Sequence, residues 1–172
     1  HPRVNVLKPG PGVGGHCIAV DPWFIVHSAP EQAKLIRAAR EVNDYKPHWV
    51  LEKVKQEIAN FVAANPGRTE SDITISCFGL AFKPDIDDLR ESPAVEITKQ
   101  IAAAHKGRVL AIEPNITELP HNLKQALNFS TIEEAKLESD ILVLLVDHQE
   151  FKKVSTSEIE NCKIVDTRGI WV

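Results

Sequence analysis

The spacing of hydrophobic residues changes once along the chain, near residue 69. Before that point, apolar residues recur every three or four positions over 31–43 and 47–64, which predicts two helices. Pro47 suits the first turn of the second helix, and the NPG sequence at 65–67 suits its end. The apolar stripe of this second helix is wide, so we expect it to pack against another domain or another subunit.

Beyond residue 69, short apolar runs alternate with segments of helical character. A capped helix is predicted over 92–104, a second helix from the Thr131 capping box, and a short one near 157–161. The continuous apolar runs are typical of strands that are buried on both faces, as in a parallel sheet. The predicted fold class is therefore an α/β doubly wound, Rossmann-like parallel sheet preceded by a two-helix segment. The predicted strands are 72–79, 108–114, 140–147 and 162–167.

The first thirty residues differ from both patterns, because they are rich in glycine and proline and show no helical period. RVNVLK, at 3–8, has the character of a short strand, and the rest is interpreted as an ordered loop. The sequence thus divides into a loop over 1–30, a helical segment over 31–68 and an α/β domain over 69–172.

Composition narrows the possible functions. The net charge is −4 and there is no basic block, which argues against a nucleic-acid partner. The longest apolar run, at 141–146, is too short to cross a membrane. Three cysteines without a CxxC pair favour a reducing compartment such as the cytoplasm. The chain has no methionine, so we expect it to be part of a longer protein.

The segment GPGVGGHCIAVD, at 10–21, allows three interpretations. Gly10, Gly12 and Gly15 fit the G-x-G-x-x-G fingerprint of a dinucleotide-binding loop, which must lead into a helix. Asp21-Pro22 is expected to interrupt such a helix within two turns.

The other two interpretations are a metal site and a nucleophile. The histidines are scattered, and no pair has the spacing of zinc ligands, so no metal is predicted. Cys17 follows two glycines, and backbone N–H groups around it would favour a thiolate and an oxyanion. Asp21 could orient a water or a proton, although a lone cysteine is often just a small buried residue.

Two long motifs resemble the UDP-glucose/GDP-mannose dehydrogenase family. GPGVGGHCIAVDP (10–22) resembles the catalytic-cysteine loop of that family. FGLAFKPDIDDLRESPAVEI (78–97) resembles the start of its C-terminal UDP-binding domain. Both lie in the family order with two helices between them. Within the family, the first motif and AREVND (39–44) are most similar to members that oxidise UDP-N-acetyl-D-mannosamine.

This resemblance implies a four-electron oxidation of the C6 alcohol of a UDP-sugar to a carboxylate, with two NAD⁺ used in succession. Cys17 would attack the intermediate aldehyde, and the resulting thiohemiacetal would be oxidised to a thioester that water hydrolyses. Asp21 would assist water or proton transfer. Gly14 and Gly15 would allow the backbone to approach the sugar and the nicotinamide.

The resemblance also assigns binding residues. Phe82 and Lys83 match residues that line the UDP-sugar site, and Arg168 matches a substrate-side arginine. Arg3 resembles an arginine that reaches the substrate of a neighbouring subunit. Arg90 matches an arginine on the NAD side of the cleft, although a salt bridge within DDLRES would explain it equally well.

Finally, the resemblance implies a homodimer formed through residues 31–65. The family's N-terminal Rossmann domain and the helix carrying its catalytic lysine and asparagine have no counterpart in this sequence. We therefore expect residues 1–172 alone not to turn over substrate. The alternatives are a non-catalytic module that binds a UDP-sugar or dimerises, and a 6-dehydrogenase for another UDP-hexose.

Overall fold

A five-stranded parallel sheet organises the computed structural model, which describes residues 8–171. The strands lie in the order β3-β2-β1-β4-β5. The chain adds β2 and β3 on one side of β1 and then crosses to the other side, where it adds β4 and β5. The strand order therefore reverses between the neighbouring strands β1 and β4. This is the doubly wound topology that the apolar runs predicted. The strands are β1 (Ile75–Phe78), β2 (Val109–Ile112), β3 (Asn128–Ser130), β4 (Ile141–Leu144) and β5 (Lys163–Asp166).

Residues 8–171 contain five α-helices besides the sheet. None of the helices within residues 8–171 is both long enough and apolar enough to cross a membrane. The short helix predicted near residue 157 is a single 3₁₀ turn, and α4 and β3 had no sequence prediction. The helices are α1 (Cys17–Ser28), α2 (Lys34–Ala64), α3 (Pro93–Ala104), α4 (His121–Lys124) and α5 (Ile132–Glu138), and the 3₁₀ turns are Glu70–Asp72, Phe151–Lys153 and Thr156–Glu158.

The sheet is covered on both faces, which explains the unbroken apolar run of β4. Ile141 and Val143 face the core shared with α2 and α3, whereas Leu142 and Leu144 face the opposite core, beside α5. All four side chains are fully buried. Alternate residues of a strand point to opposite faces, so a strand covered on both sides must be apolar throughout.

Of the two predicted N-cap residues, only one makes the expected side-chain hydrogen bond. Thr131 caps α5, because its side chain accepts a hydrogen bond from the Glu134 backbone N–H. Ser92 is the N-cap residue of α3, but its side chain makes no capping bond. Its buried hydroxyl has no hydrogen-bond partner among the described residues. Pro93 at the first helical position accounts for the start of α3 instead.

The prediction of two helices over 31–64 is wrong, because α2 is one helix of 31 residues with Pro47 in its interior. A proline removes only one backbone hydrogen bond, to the carbonyl four residues earlier. The turns after it carry Val50 and Val54, both buried in the core. Packing of these turns on the α/β domain stabilises a continuous helix against the local effect of the proline.

The two halves of α2 have different surroundings. The C-terminal half packs against α3, β4 and β5 through Val50, Val54 and Phe61, so the stripe over 47–64 contacts the chain's own domain. The N-terminal half contacts α1 and the glycine loop, and several of its apolar side chains are exposed. There Leu35 is 83% exposed and Val42 is 66% exposed.

The interpretation of residues 17–30 as a loop is also wrong, because residues 17–28 form α1. Apolar residues lie on both sides of this helix: Val26 is buried against its surroundings, whereas Phe24 and Ile25 are exposed. The segment therefore shows no one-sided period. Pro22 lies inside the helix, and its missing N–H leaves the Ile18 carbonyl free to accept from Arg40.

An ion pair joins the segment that follows α2 to the edge of the sheet at which the strands begin. The Arg68 guanidinium donates to both carboxylate oxygens of Asp140, at 2.7 and 3.0 Å. Asp140 also accepts from the Thr74 N–H at 2.8 Å. One carboxylate thus connects α2 with the segments leading into β1 and β4.

The packing of α2 predicts that valine-to-alanine substitutions at two of its positions change the free energy of unfolding by different amounts. Val54→Ala should lower the free energy of unfolding of the chain by about 2 kcal/mol, because it leaves a cavity in the shared core. Val42→Ala, on the exposed half of the same helix, should change it by less than about 0.5 kcal/mol. Urea denaturation measures both, and equal losses would contradict the assigned faces.

Candidate functional site

A cavity of about 580 Å³ opens at the carboxyl ends of β1 and β4. This is the point where the strand order reverses, which is where open α/β sheets commonly bind ligands. The cavity lies between the glycine loop, α2 and the α/β domain. Its lining consists of residues 8–14, Ile18, Ala39, Val42, Asn43, Lys46, residues 81–84, Pro93, Ala94, Leu145, Val146 and Arg168.

Every ionisable residue on this lining is a cation. Lys8, Lys46, Lys83 and Arg168 contribute to it, and no carboxylate of the described residues does. Converging cations in a partly apolar cavity favour an anionic ligand such as a diphosphate. The apolar remainder of the wall suits the uncharged parts of such a ligand.

The glycine loop lies directly on the α/β domain. A Cβ atom at Gly14 would collide with the Glu91 carbonyl oxygen and with Pro93. Gly15 has φ of +85°, and a Cβ there would lie 3.1 Å from the Phe82 ring. Both glycines are therefore required by contacts within the chain, whatever ligand the loop also approaches.

Cys17 is the first residue of α1 and is exposed. Asp21 follows one helical turn later, so both side chains lie on the same side of the helix. The first N–H groups of a helix have no partner within the helix, so those of α1 are directed toward its N-terminus, where Cys17 lies. The next residue, Ile18, lines the cavity, so the cysteine lies at the edge of the proposed binding region.

One premise used against the fingerprint interpretation of the glycine loop is wrong, because a helix does begin at Cys17, just after Gly15. The remaining context still differs from a dinucleotide site. None of residues 8–16 belongs to a strand, and α1 leads into α2 rather than to a strand of the sheet. A dinucleotide fingerprint requires a strand on each side of its helix.

The other two cysteines are poor nucleophiles. Cys77 lies inside β1, and burial raises the pKa of its thiol to about 12. Burial and the nearby Asp140 carboxylate also raise the pKa of Cys162. No group of three potential metal ligands occurs within residues 8–171. Cys17 is thus the only cysteine of the sequence that combines exposure with a helix N-terminus.

Arg168 is held in place beside the cavity. Its Nε donates to Asp147 Oδ1 at 2.7 Å, and its Nη2 lies 2.6 Å from the same oxygen. Its Nη1 occupies the space next to Gly10, where a Cβ would collide with it. The loop that carries Arg168 is fixed by Asp166, which accepts four backbone N–H groups, those of residues 168–171.

Phe82 and Lys83 follow β1 on the loop before α3, and both line the cavity. The Phe82 ring packs against Gly15, and the Lys83 ammonium lies 5.6 Å from the ring centroid of Phe82. The structure thus brings together Gly14, Phe82, Lys83 and Arg168 around one cavity.

Arg90 lies elsewhere on this loop and is not among the residues that line the cavity. Its Nε and Nη2 donate to the two carboxylate oxygens of Asp88, at 2.8 and 2.6 Å. These bonds, with that of the Arg90 backbone N–H, hold the pKa of Asp88 well below its usual range. The salt bridge within DDLRES that the sequence allowed is therefore present. Arg3, the remaining predicted residue, lies outside the described residues.

A buried acid and histidine support the loop that carries Lys83. Glu113 Oε2 accepts from the backbone N–H groups of Leu80 and Ala81, and also bonds His148 Nε2 at 3.0 Å. His148 Nδ1 accepts from the Asp85 N–H at 2.9 Å, so the ring proton lies on Nε2 and is donated to Glu113. This pair fixes the loop on both sides of Lys83.

Sequence reasoning missed these supporting groups, although a signal existed. Glu113, Asp147 and Asp166 each end a strand of the sheet or closely follow one. Carboxyl ends of parallel strands meet at one edge, so acids at the ends of several strands indicate a polar network there. Most of their partners could not be identified, because Leu80, His148 and Arg168 are distant in sequence from the acids that they bond; Asn115, beside Glu113, and the Asp166 loop are the local exceptions.

Comparison with known proteins agrees with this geometry. Residues 76–172 match the UDP binding domain of the UDP-glucose/GDP-mannose dehydrogenase family. Residues 1–45 match the central domain of the same family. The boundary of the first match coincides with β1, the first strand of the sheet.

Individual relatives are similar over almost the whole chain. UDP-N-acetyl-D-mannosamine dehydrogenase of Escherichia coli K12 is 55% identical over 99% of this chain. NDP-N-acetyl-D-galactosaminuronic acid dehydrogenase of Ralstonia solanacearum is 54% identical over 99% of it. The chain spans 40% and 38% of the length of these two relatives. The structure of UDP-D-ManNAc dehydrogenase from Pyrococcus horikoshii matches 99% of this chain and 38% of its own, with a TM-score of 0.77 and 31% identity.

The buried pair predicts an acid-sensitive component of stability. Burial acts to raise the pKa of Glu113, but the hydrogen bonds from His148, Leu80 and Asn115 outweigh it and lower that pKa overall. A lowered native pKa stabilises the fold above the unfolded value of 4.5, and this contribution is lost as pH falls through the native pKa.

Glu113→Gln should therefore flatten the decline in the free energy of unfolding between neutral pH and pH values below 4.5. Glu160→Gln, at an exposed glutamate, is the matched control and should leave the decline unchanged. Urea denaturation at a series of pH values measures both. The same pH dependence in Glu113→Gln as in the unmodified chain would contradict the assigned role of the pair.

Proposed function

The chain belongs to the UDP-glucose/GDP-mannose dehydrogenase family, and we propose that it supplies the cysteine and the UDP-sugar site of an NAD-dependent UDP-sugar 6-dehydrogenase. The substrate proposed is UDP-N-acetyl-D-mannosamine, on the basis of the 55% identical E. coli relative. The observation that carries the proposal is the exposed Cys17 at a helix N-terminus, beside a cavity whose ionisable lining is entirely cationic.

The proposed reaction oxidises the C6 alcohol to a carboxylate in two stages. One alcohol, two NAD⁺ and one water give one carboxylate, two NADH and three protons. NAD⁺, the co-substrate, would accept the two electrons and the hydrogen that carbon loses in each stage. A thiol is suited to the second stage, because the thioester it forms remains open to attack by water.

Cys17 would act after the aldehyde forms. Its thiolate would add to the aldehyde carbon, giving a thiohemiacetal, and oxidation of that carbon would give a thioester. Water would then attack the thioester, releasing the carboxylate and the Cys17 thiol. Asp21, which lies one turn along α1 from Cys17, would orient that water or take its proton.

The described residues fit NAD only in part. Arg90 is the one residue assigned to the cofactor, and its guanidinium is paired with Asp88. Among the described residues, α1 leads into α2 rather than into a strand, so the loop over 10–15 lacks the strand that follows the helix of a dinucleotide cradle. We therefore assign the hydride-transfer steps to no residue of this chain, and its proposed contribution is Cys17 together with the sugar-nucleotide site.

The cavity would hold the UDP part of the substrate. Lys83 and Arg168 are two of the cations that the resemblance assigned to the substrate, and both line it. The hydrogen bond that Arg168 Nε donates to Asp147 fixes the Arg168 side chain, and its Nη1 lies toward the glycine loop. A diphosphate held by these groups would place the sugar toward Ile18 and Cys17.

The proposed homodimer uses the outward face of the helices within residues 31–65. Leu35, Tyr45 and Trp49 are large apolar residues of α2 that are exposed and do not line the cavity, whereas the exposed Val42 does line it. Contiguous exposed apolar surface indicates an interface. The apolar stripe over 47–64 is covered by the α/β domain of the same chain, so it is not available to a second subunit. The proposed dimer contact therefore lies on the N-terminal half of α2.

A different sugar is the second candidate. The Ralstonia relative, whose name specifies an N-acetyl-galactosaminuronic acid, is 54% identical, against 55% for the E. coli relative. Because these identities are nearly equal, an N-acetylated hexosamine is better supported than one particular configuration of it. The third candidate is a non-catalytic module that binds a UDP-sugar. The reactivity of Cys17 distinguishes it from the proposed dehydrogenase.

Thiol reactivity tests the nucleophile. With iodoacetamide at pH 7, Cys17 should be alkylated first, Cys162 later and Cys77 last, because burial protects the latter two and raises their pKa. Peptide mass spectrometry at timed intervals measures the three rates. In the urea-denatured chain the rates should become equal. A native Cys17 that reacts no faster than free cysteine would support the non-catalytic module.

Calorimetric titration tests the nucleotide site. The 172-residue chain should bind UDP, and Lys83→Gln should weaken that binding about tenfold, because a charge-assisted hydrogen bond is lost. Lys99→Gln, at a lysine on α3 that does not line the cavity, is the matched control and should bind UDP normally. Binding of NAD⁺ without UDP would contradict the assignment of the cavity.

A further inference from the structure

We infer that Arg40 and Asn43 are positioning residues for Cys17, an inference that rests on the proposed function of that cysteine. Both belong to AREVND, a motif to which no role has been assigned. They lie on neighbouring positions of one face of α2, three residues apart. One holds the chain after Cys17, and the other holds the glycine loop before it.

The need for Arg40 follows from Pro22. In an α-helix the N–H of residue 22 would donate to the carbonyl of Ile18, but proline has no N–H. The Ile18 carbonyl therefore loses its helical partner in the first turn after Cys17. Arg40 Nη1 donates to that carbonyl from α2, at 3.4 Å. An arginine from a second helix thus replaces the backbone bond that the proline removes.

The Arg40 guanidinium is held for this contact. Its side chain is largely buried between α1 and α2, and Nη2 donates to Asp44 Oδ1 at 2.8 Å. A buried guanidinium is costly unless it is paired, and Asp44 supplies the pairing. The bond from Nη1 is longer than charge-assisted hydrogen bonds usually are, but the positive charge of the donor still attracts the carbonyl oxygen.

Asn43 holds the other side of Cys17. Its Oδ1 accepts from the Val13 backbone N–H at 2.8 Å. Val13 lies between the cavity-lining Gly12 and Gly14, so this bond ties the glycine loop to α2. Cys17 therefore lies between two segments that are both attached to the same turn of one helix.

This arrangement would set the distance between the thiolate and the cavity. The glycine loop and the first turn of α1 meet at Cys17, and α2 is anchored in the core of the α/β domain. A displacement of about 1 Å at a reacting group can cost about a hundredfold in rate. Arg40 acts through the Ile18 carbonyl and Asn43 through the Val13 amide, and neither is proposed to touch the reacting atoms.

A double-mutant cycle between Arg40 and Pro22 tests this inference. Arg40→Leu should slow alkylation of Cys17 by about threefold or more, because the first turn of α1 loosens and its N-terminal field weakens. Pro22→Ala restores a backbone N–H for the Ile18 carbonyl. The variant carrying both substitutions should therefore recover most of the unmodified rate. Arg37→Leu, at an exposed arginine one turn earlier on α2, is the matched control and should not change the rate.

Hydrogen exchange of the α1 amides provides a readout that does not depend on thiol chemistry. Exchange should accelerate in Arg40→Leu and return toward the unmodified rate in the double variant. Equal effects of Arg40→Leu with and without Pro22→Ala would overturn the inference, as would Arg40→Leu behaving like Arg37→Leu. A slow Cys17 in the unmodified chain, with the exchange pattern as expected, would instead overturn the nucleophile and leave the positioning role standing.

Discussion

The close contact between the glycine loop and the α/β domain is the constraint on which the candidate site depends. Gly14 and Gly15 lie against Phe82 and Pro93 at distances that leave no room for a Cβ at Gly14. This contact brings the start of α1 to the edge where β1 and β4 end. The cavity forms where loop, helix and sheet edge meet, and the exposed cysteine lies beside it.

The parts of the fold that could be predicted are those in which burial dictates sequence. β1, β2, β4 and β5 are covered on both faces or pack beside covered strands, and they appear as apolar runs. β3 is a short edge strand with two exposed residues, so it carries no such run. α1 could not be predicted, because its apolar residues face two directions and Pro22 is compensated by a residue eighteen positions away. Local sequence cannot show such a compensation.

The candidate site likewise contains residues that could be predicted from local sequence and residues that could not. Cys17, Phe82 and Lys83 could be proposed because two long motifs resemble one family, and Arg168 because it matches an arginine of that family. A motif is recognised from residues that are adjacent in the chain. The groups that hold them are far apart in sequence: Glu113 and His148 behind the Lys83 loop, and Asp147 beside Arg168. Arg90 shows the opposite case, since a residue only two positions away pairs with it.

α2 has a mechanical consequence for the molecule. It is a single rod of 31 residues, about 45 Å long, whose far end is embedded in the core and whose near end holds both flanks of Cys17. A rigid helix transmits tilt along its length, so a partner that pressed on the exposed near half would move Cys17 and the cation-lined cavity by different amounts. Whatever covers that half would therefore also set the distance between Cys17 and the cavity.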